Sequence, residues 1–384
     1  MPIENYFNYD SEDISLVLET LNSFAEKELE PVFGTPENVL SGGEITRLLG
    51  KFRELGILGD GEIGGLALWE APRAAEGIKL SLKILRIIAR INAGLAFALH
   101  QLALGAYAGA LFTPASNDDN LLFLPHGTAK GVLALWLRGV VPEGDNLALV
   151  RDYFSASPYD DKPLYLQGPE EWKYLFIPKL SSGGNCLNWL RFDRKNLTLR
   201  SVDNPHGLNE STLWEISCPL AGGEEMLPEN AEEGAGYFME FNVMNSLALI
   251  AIGLGGLEKS YRVSRKYAGE RIQGGVSIEK HAAIRLLLGN IRSAIESVSA
   301  FLETDMDVEK GITSLVSAFA LRSVSHPLLC AAASDAVQLH EGYGYMRDVG
   351  MEKILRDNNQ LKLSYGTPDE LKLFIALAEE RDEN

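Results

Sequence analysis

The spacing of apolar residues along the chain changes twice, and this change limits the folds that the chain can adopt. From about residue 14 to residue 123 the spacing is helical, and the stretch LSLKILRIIARINAGLAFALHQLALGAYAGALF predicts two long, largely buried helices. Between about residues 124 and 227 the pattern shortens to runs such as YLFIPKL and TLWEISC, which are typical of strands. From residue 236 the helical spacing returns. The order is therefore helices, sheet, helices.

This order predicts a mainly α fold with a β middle domain. A chain of 384 residues with 46% apolar composition is long for one compact unit. We expect an all-helical N-terminal domain (1–123), a small β-domain (124–228) and a C-terminal helical bundle (229–384). One bundle helix is predicted by an apolar seam with spacings of four and three, formed by Ile284, Leu288, Ile291, Ile295, Val298 and Leu302. Pro327 predicts a kink or a restart within the pattern 312–340.

Charge and cysteine content argue against several classes of protein. Asp and Glu outnumber Lys and Arg by 53 to 35, and the net charge of −18 with no basic stripe disfavours nucleic-acid partners. The cysteines Cys186, Cys218 and Cys330 are far apart without metal-ligand spacing, so we expect neither a disulfide framework nor a metal site. The N-terminus has no signal-peptide pattern, and no uninterrupted apolar run approaches the ~20 residues of a membrane span. We therefore expect a cytoplasmic protein without a membrane partner.

Local motifs in the right order connect the chain to a known family. Two N-terminal stretches, FRELGILGDGEIGGLALWE (52–70) and LPHGTAKGVLALWLRG (124–139), and three C-terminal stretches resemble the acyl-CoA dehydrogenase family. The C-terminal stretches are RKYAGERIQGGVSIEKHAAIR (265–285), DAVQLHEGYGYMRDVGMEKILRD (335–357) and LSYGTPDELKLFIA (363–376). The segment QLHEGYGY (338–345) is the most specific. The resemblance implies an N-terminal helical bundle, a small β-barrel domain and a C-terminal four-helix bundle.

The resemblance also implies a chemistry. Members of this family bind FAD and an acyl-CoA thioester; a base removes the α-proton and the β-hydrogen leaves as hydride to the flavin, which gives a 2-enoyl-CoA. The cofactor carries the hydride chemistry, and the protein supplies binding, placement and the base. We therefore expect FAD as cofactor and an acyl-CoA or related thioester, in fatty acid metabolism, as substrate.

Two residues of the ERIQGG motif match family positions that contact the FAD of a neighbouring subunit. These residues are Arg271 and Gln273, and the fork of an Arg side chain suits a pyrophosphate group. Because such a site is built across subunits, the resemblance implies a dimer or tetramer.

Further positions match cofactor contacts within the family. Gly342 and Gly344 with Gln338 match a turn that lets main chain approach the adenosine diphosphate part, for which the missing side chain of glycine is the reason. Thr367 matches a hydroxyl near the cofactor, and Trp172 matches a tryptophan that lies against the flavin ring. Read alone, Trp172 is also consistent with a β-domain core residue.

The position of the family's catalytic base is altered. Tyr365 lies where most members carry a glutamate. A phenol is a poor base at carbon because its pKa is near ~10 in water. Some relatives carry the base on the helix before the YAGER motif, where this chain has Asn245 and Ser246. Glu240 lies more than one helical turn too early.

The flavin side of the site is altered as well. In WLRGVVPEGDN (136–146), Leu137 and Arg138 replace the polar pair of a Thr-Glu-Pro turn. After Trp172 the chain runs directly into the next strand, without a family loop that carries a hydroxyl for the flavin. Gly274 stands where the family usually has Phe.

Two hypotheses follow. The chain is either an FAD enzyme with an atypical base or with a reaction that needs none, or a catalytically silent homologue that serves as structural partner of an active subunit in a mixed oligomer. The retained QLHEGYGY motif and Arg271 favour FAD contact, whereas Tyr365 and Asn245 favour loss of ordinary dehydrogenation.

Overall fold

The N-terminal part of the protein is helical. The computed structural model describes residues 11–33, 40, 42–58, 67–70, 73, 75–112, 119–122, 124, 164–180, 187–217, 222–226 and 231–382. Its first helices are α1 (Ser11–Phe24), which continues through a π-helical turn (Ala25–Leu29) into α2 (Glu30–Phe33), then α3 (Gly42–Glu54), α4 (Ala75–Ile91) and α5 (Ala93–Phe112). Helix α5 has no charged side chain and is buried around most of its circumference. This confirms the pair of buried helices predicted from the Ala-rich stretch.

Two small sheets form the described middle part of the protein. The first has the strand order β1 (Asn120–Leu122), β3 (Tyr174–Leu180), β4 (Leu187–Asp193) and β7 (Glu224–Met226). The second has the order β2 (Leu164–Gly168), β6 (Thr212–Ser217) and β5 (Thr198–Val202). Strand β1 pairs parallel with β3, while the other neighbours are antiparallel. Strand β1 therefore joins a sheet of the middle part although it lies inside the predicted N-terminal domain.

The C-terminal part is a bundle around one long helix. Its elements are α6 (Ala231–Glu270), the hairpin β8 (Ile272–Gln273) and β9 (Val276–Ser277), α7 (Ala282–Leu302), α8 (Ile312–Leu339), α9 (Met351–Leu363) and α10 (Pro368–Asp382). The predicted seam of α7 is confirmed, since Leu288, Ile291, Ile295, Val298 and Leu302 are buried. Helix α8 continues through Pro327, which lies on its exposed face, and does not restart there.

Buried charges join all three parts of the protein. The Lys353 ammonium on α9 bonds Glu210 of the β5–β6 loop at 3.2 Å and Asp357 on α9 at 2.7 Å. Asn92, between α4 and α5, donates to the other oxygen of Glu210 at 2.8 Å. Burial disfavours the charged form of Lys353. The carboxylates of Asp357 and Glu210 more than offset this effect, so the pKa of Lys353 is raised. Helix α9 is therefore the element to which the β-domain and the N-terminal helices both attach, and Tyr365 follows it directly.

Among the described residues, three helices are long and apolar enough to cross a membrane by length and composition alone. They are Ala93–Phe112, Glu233–Glu270 and Thr313–Leu339. Polar residues interrupt these helices, so they were not expected from the search for an uninterrupted apolar run. Their most apolar windows are 72%, 100% and 56% buried inside the fold. These windows supply much of the protein's core.

Candidate functional site

The predicted neighbouring-subunit motif and the Gly-rich turn meet at one end of the C-terminal bundle. Helix α6 ends at Glu270 and α8 ends at Leu339. Tyr267 lies in the last turn of α6, and His340 follows the last residue of α8. Their rings stack with centroids 4.6 Å apart. A small second core of Ala268, Ile278, Leu288 and Leu339 lies beneath them. The structure therefore brings together two sequence motifs that are about seventy residues apart in the chain.

The polar side chains at this end face outward. Arg271, Gln273 and Gln338 are exposed. Within the described part of the chain the Arg271 guanidinium has no hydrogen bond or ion pair, so its donors are available to an anionic group. The hairpin that carries Arg271 and Gln273 turns through Gly274 and Gly275, whose φ angles of 61° and 81° favour glycine. Gly274, at the position where the family usually has Phe, is thus required by the turn.

The two glycines of the QLHEGYGY segment have different roles. A side chain at Gly344 would lie 2.2 Å from the main-chain oxygen of Val337, so glycine lets the turn pack against the end of α8. Gly342 is exposed, and an added Cβ there would meet no atom within 4 Å. Gly344 therefore has a packing role, while Gly342 leaves main chain open to a ligand.

Trp172 lies in the β-domain, away from this end. Its ring is buried, with 5% exposure, and the Arg194 guanidinium lies 5.0 Å from its centroid. Its indole nitrogen is buried and has no partner. This environment is consistent with a β-domain core residue, and the role against the flavin ring stays a prediction. The altered turn with Leu137 and Arg138 lies outside the described residues.

Tyr365 is buried and held from both sides. Its hydroxyl donates to Gln101 Oε1 on α5 at 2.6 Å. Its own carbonyl, with those of Ser364 and Gly366, accepts hydrogen bonds from the buried Arg322 guanidinium. The residue has a φ of 57°, which is uncommon for a bulky side chain, and the Arg322 bonds stabilise this turn. Burial raises the pKa of the Tyr365 phenol, so it is neutral and acts as a hydrogen-bond donor.

Thr367 has a structural role that was not predicted from the sequence. The main-chain N–H of Thr367 donates to Glu370 Oε2 at 2.7 Å, and the Glu370 N–H donates to Thr367 Oγ1 at 3.3 Å. This is a capping box at the start of α10, with Pro368 at the first helical position. The Thr-Pro-Asp-Glu pattern is a recognisable signal for it. The hydroxyl hydrogen of Thr367 is not used by this cap.

Asn245 joins a buried polar network. Trp69 Nε1 donates to His100 Nδ1 at 3.0 Å, and His100 Nε2 lies 3.0 Å from Asn245 Oδ1. Burial lowers the pKa of His100 to about 4, so the ring is neutral. His100 and its neighbour Gln101 were missed in the sequence, although they are two adjacent polar residues in the otherwise apolar first half of α5.

The carboxylate of Glu240, on α6, is hydrogen-bonded to other side chains of the protein. Glu240 is buried, with 5% exposure, and accepts hydrogen bonds from the Tyr107 hydroxyl at 2.6 Å and from Arg73 at 3.3 Å. Burial, together with the Glu240 charge, raises the pKa of Tyr107. Glu240 thus belongs to a separate cluster from that of Tyr365.

Comparison with known proteins identifies the family. Residues 232–378 match the family model of the acyl-CoA dehydrogenase C-terminal domain. The C-terminal domain of this chain therefore belongs to the acyl-CoA dehydrogenase family. The short-chain specific acyl-CoA dehydrogenase of Clostridium acetobutylicum is 25% identical over 47% of this chain and 48% of its own length. An acyl-CoA dehydrogenase of Bacillus subtilis is 27% identical over 40% of this chain and 43% of its own length. The matches thus span about half, or less, of these relatives.

The similarity in fold to a solved acyl-CoA dehydrogenase extends over the whole chain. The structure of butyryl-CoA dehydrogenase from Megasphaera elsdenii aligns with 98% of this chain and 100% of its own, with a TM-score of 0.67 at 16% identity. The predicted fold class is therefore confirmed. Within this fold, the Tyr365 hydroxyl donates to the neutral amide of Gln101, and the neighbouring residue on α5, His100, is bound to Asn245.

Proposed function

We propose that the protein is an acyl-CoA dehydrogenase-like flavoprotein. It is an FAD-dependent oxidoreductase that acts on the CH–CH group of an acyl-CoA or related thioester, and its base is atypical or missing. The observation that carries this proposal is the outward-facing end of the C-terminal bundle. There the Arg271 hairpin lies beside the turn of residues 338–344.

The residues at this end fit the adenosine diphosphate part of FAD. The unpaired Arg271 guanidinium suits a pyrophosphate, exposed Gln273 and Gln338 supply amide hydrogen bonds, and the open main chain at Gly342 allows close approach. When bound, FAD supplies the acceptor of the hydride. Because these side chains face away from their own chain, we propose that they hold the cofactor of a second subunit in a dimer or tetramer.

Among the described residues, the position of the family's base holds Tyr365 and not a carboxylate. Tyr365 is a neutral donor bound to the Gln101 amide, and Asn245 is bound to the neutral imidazole of His100. None of these removes a weakly acidic proton at neutral pH. The proposal therefore excludes ordinary α,β-dehydrogenation of simple straight-chain acyl-CoA substrates through Tyr365.

The second candidate is a catalytically silent partner subunit. It is favoured by the way Tyr365 and Glu240 are both bound to other side chains, so neither is presented to a substrate. Such a subunit completes the cofactor site of an active homologue in a mixed oligomer through Arg271 and its neighbours.

The visible spectrum of the protein expressed alone separates the two candidates. Bands of bound oxidised flavin, retained after gel filtration, support the first. A protein that stays colourless after incubation with FAD contradicts it and favours the silent subunit. Arg271→Ala is expected to weaken FAD binding, because it removes a charge-assisted contact. Arg265→Ala, at an exposed arginine on the helix that ends just before Arg271, is the matched control and is expected to bind FAD like the natural chain.

A further inference from the structure

A positively charged pocket lies where helices α4, α6 and α7 meet. Its volume is about 250 Å³. Its charged lining consists of Arg90 on α4, Glu258, Lys259 and Arg262 on α6, and Arg292 on α7. Four of these five side chains are cations, although the chain as a whole carries a net charge of −18. The pocket is therefore a local positive region on an acidic protein, which repels anions from most of its surface.

Glu258 does not neutralise this region. Its Oε1 accepts a hydrogen bond from Arg86 Nε at 2.9 Å, and its Oε2 accepts one from Arg90 Nε at 2.5 Å. One carboxylate is thus shared by two guanidinium groups. Among the described residues it is the only acidic side chain that lines the pocket. A positive charge therefore remains on this side of the pocket.

Lys259 lies in the pocket wall without a counter-ion. Its ammonium donates to the main-chain oxygen of Ile91 at 2.9 Å, and no described carboxylate lies within ion-pair distance of it. The side chain is half-buried. Burial, together with the charges of Lys353 and Arg262, lowers the pKa of the Lys259 ammonium. Because a partly desolvated cation without a negative partner is costly, an anion in the pocket would stabilise it.

The other two arginines reach the pocket from its solvent side. Arg262 pairs with Glu30 at 3.5 Å, and the two side chains are 66% and 49% exposed. Arg292 pairs with Glu296, and both are more than half exposed. Such surface pairs contribute little free energy, so a ligand can replace them at small cost. The Arg292 guanidinium also lies 5.8 Å from the ring centroid of Tyr261, which holds it over the pocket.

We propose that this pocket binds a diphosphate group. The pocket is several times larger than the ~30 Å³ that one water molecule occupies in the liquid. Planar guanidinium forks match phosphate oxygens, and an ammonium adds a point charge. Because the cations come from three helices, two linked phosphates contact opposite walls that a single phosphate does not reach together.

This site goes beyond the proposed function and does not depend on it. Arg262 lies eight residues before the end of α6 at Glu270, which corresponds to ~12 Å along the helix axis. The pocket is thus separate from the end of the bundle that carries Arg271. The diphosphate group comes either from free pyrophosphate or from a nucleoside diphosphate.

Isothermal titration calorimetry on the purified full chain tests the proposal with three probes. These are inorganic pyrophosphate, ADP and orthophosphate. Pyrophosphate is expected to bind at one site per chain and about tenfold more tightly than orthophosphate, because the second phosphate adds charge-assisted contacts. Equal affinities for pyrophosphate and ADP would identify the free diphosphate as the ligand. Tighter binding of ADP would identify a nucleotide.

Variants assign the binding to the pocket. Lys259→Met, Arg262→Ala and Arg292→Ala are each expected to weaken pyrophosphate binding about tenfold. The two arginine variants change exposed side chains, so they test the pocket even if Lys259→Met fails to fold. Arg200→Ala removes an arginine from a comparable surface pair with Glu215 in the β-domain. This control is expected to bind pyrophosphate like the natural chain.

Three results would overturn the proposal. The first is the absence of saturable pyrophosphate binding, or equal affinities for pyrophosphate and orthophosphate. The second is pyrophosphate binding that stays unchanged in Arg262→Ala and Arg292→Ala. The third is binding that disappears in Arg271→Ala, since the probe would then occupy the proposed cofactor end of the bundle and not this pocket.

Discussion

Tyr365 connects two features that are far apart in the sequence, the start of helix α10 and the middle of helix α5. The Tyr365→Phe variant removes the hydroxyl and leaves the buried oxygen of Gln101 without its donor. We expect the free energy of unfolding to fall by about 1–2 kcal/mol, with the same backbone fold. Urea denaturation measures this. Tyr343→Phe, at a tyrosine that is 57% exposed, is the control and is expected to change stability little. Equal stabilities of the two variants would contradict the importance of the Gln101 contact.

His100 predicts a dependence of stability on pH. Its pKa is about 4 in the folded protein because of burial, against an ordinary value of 6.5. As the pH falls through about 6.5, the unfolded chain binds a proton that the folded chain does not, so unfolding becomes more favourable until about pH 4. The pKa values of buried His326 and His340 are lowered as well and act in the same direction.

We therefore expect the free energy of unfolding to be highest near neutral pH and to decrease between about pH 7 and pH 5. His100→Gln is expected to be less stable at neutral pH but to show a shallower decrease over this interval. The measurement is urea denaturation at several pH values. Identical slopes for the natural chain and His100→Gln would show that His100 is accessible to protons in the folded state.

The position or role of a single residue was predictable from the sequence where a pattern of neighbouring residues determines it. Tyr365 could be placed by its distance from the Arg356-Asp357 pair and from Gly366. The cap formed by Thr367 and Glu370 could have been found from its local pattern. The contact between Tyr365 and Gln101 could not, because it joins side chains 264 positions apart and depends on how α5 packs on the bundle.

Helix α9 holds the middle and N-terminal parts of the protein together through Lys353. In Lys353→Met, the carboxylates of Glu210 and Asp357 lose their buried ammonium, and an unpaired buried charge is strongly destabilising. We expect a loss of about 3–5 kcal/mol in the free energy of unfolding.

The matched control is Lys372→Met on α10, whose pair with Asp369 is exposed and is expected to contribute less than about 1 kcal/mol. Thermal or urea denaturation of both variants provides the comparison. A similar small effect of both changes would mean that the buried pair contributes no more than a surface pair.

Helices were predicted best where apolar residues recur at regular spacing along one face. The α7 seam shows this, because a period near 3.6 identifies the buried side directly. The prediction at Pro327 depended on a local rule, and α8 continues because the proline lies on the exposed face of a helix whose other side is packed. Tertiary packing overrides the local preference there.

At the scale of the whole molecule, the order of helices and strands was predictable but the sites between the parts were not. The Lys353 cluster and the Gln101 contact arise from residues of separate domains. No spacing rule connects such residues. The fold was predictable from the order of the motifs, whereas the proposed loss of the base depends on single positions such as Tyr365.

The outward end of the C-terminal bundle predicts an oligomer. Large apolar side chains are exposed in the described part of this region, including Ile272 at 61%, Leu286 at 66% and Tyr345 at 74%. Covering them in an interface between subunits would be favourable. We expect a dimer or tetramer, alone or with a homologue, by light scattering during gel filtration. A monomer at micromolar concentration, with and without FAD, would contradict this expectation.

Exchange of the α-proton of butyryl-CoA with solvent deuterium tests the central claim most directly. If Tyr365 is a donor and no base replaces it, the FAD-incubated natural chain gives no exchange above the protein-free rate, and Tyr365→Phe gives none either. Tyr365→Glu, which restores a carboxylate, is expected to gain exchange, since a positioned base contributes about 10²–10⁴-fold. Exchange by the natural chain that disappears in Tyr365→Phe, with folding and flavin content unchanged, would contradict the account and identify the phenol as a base.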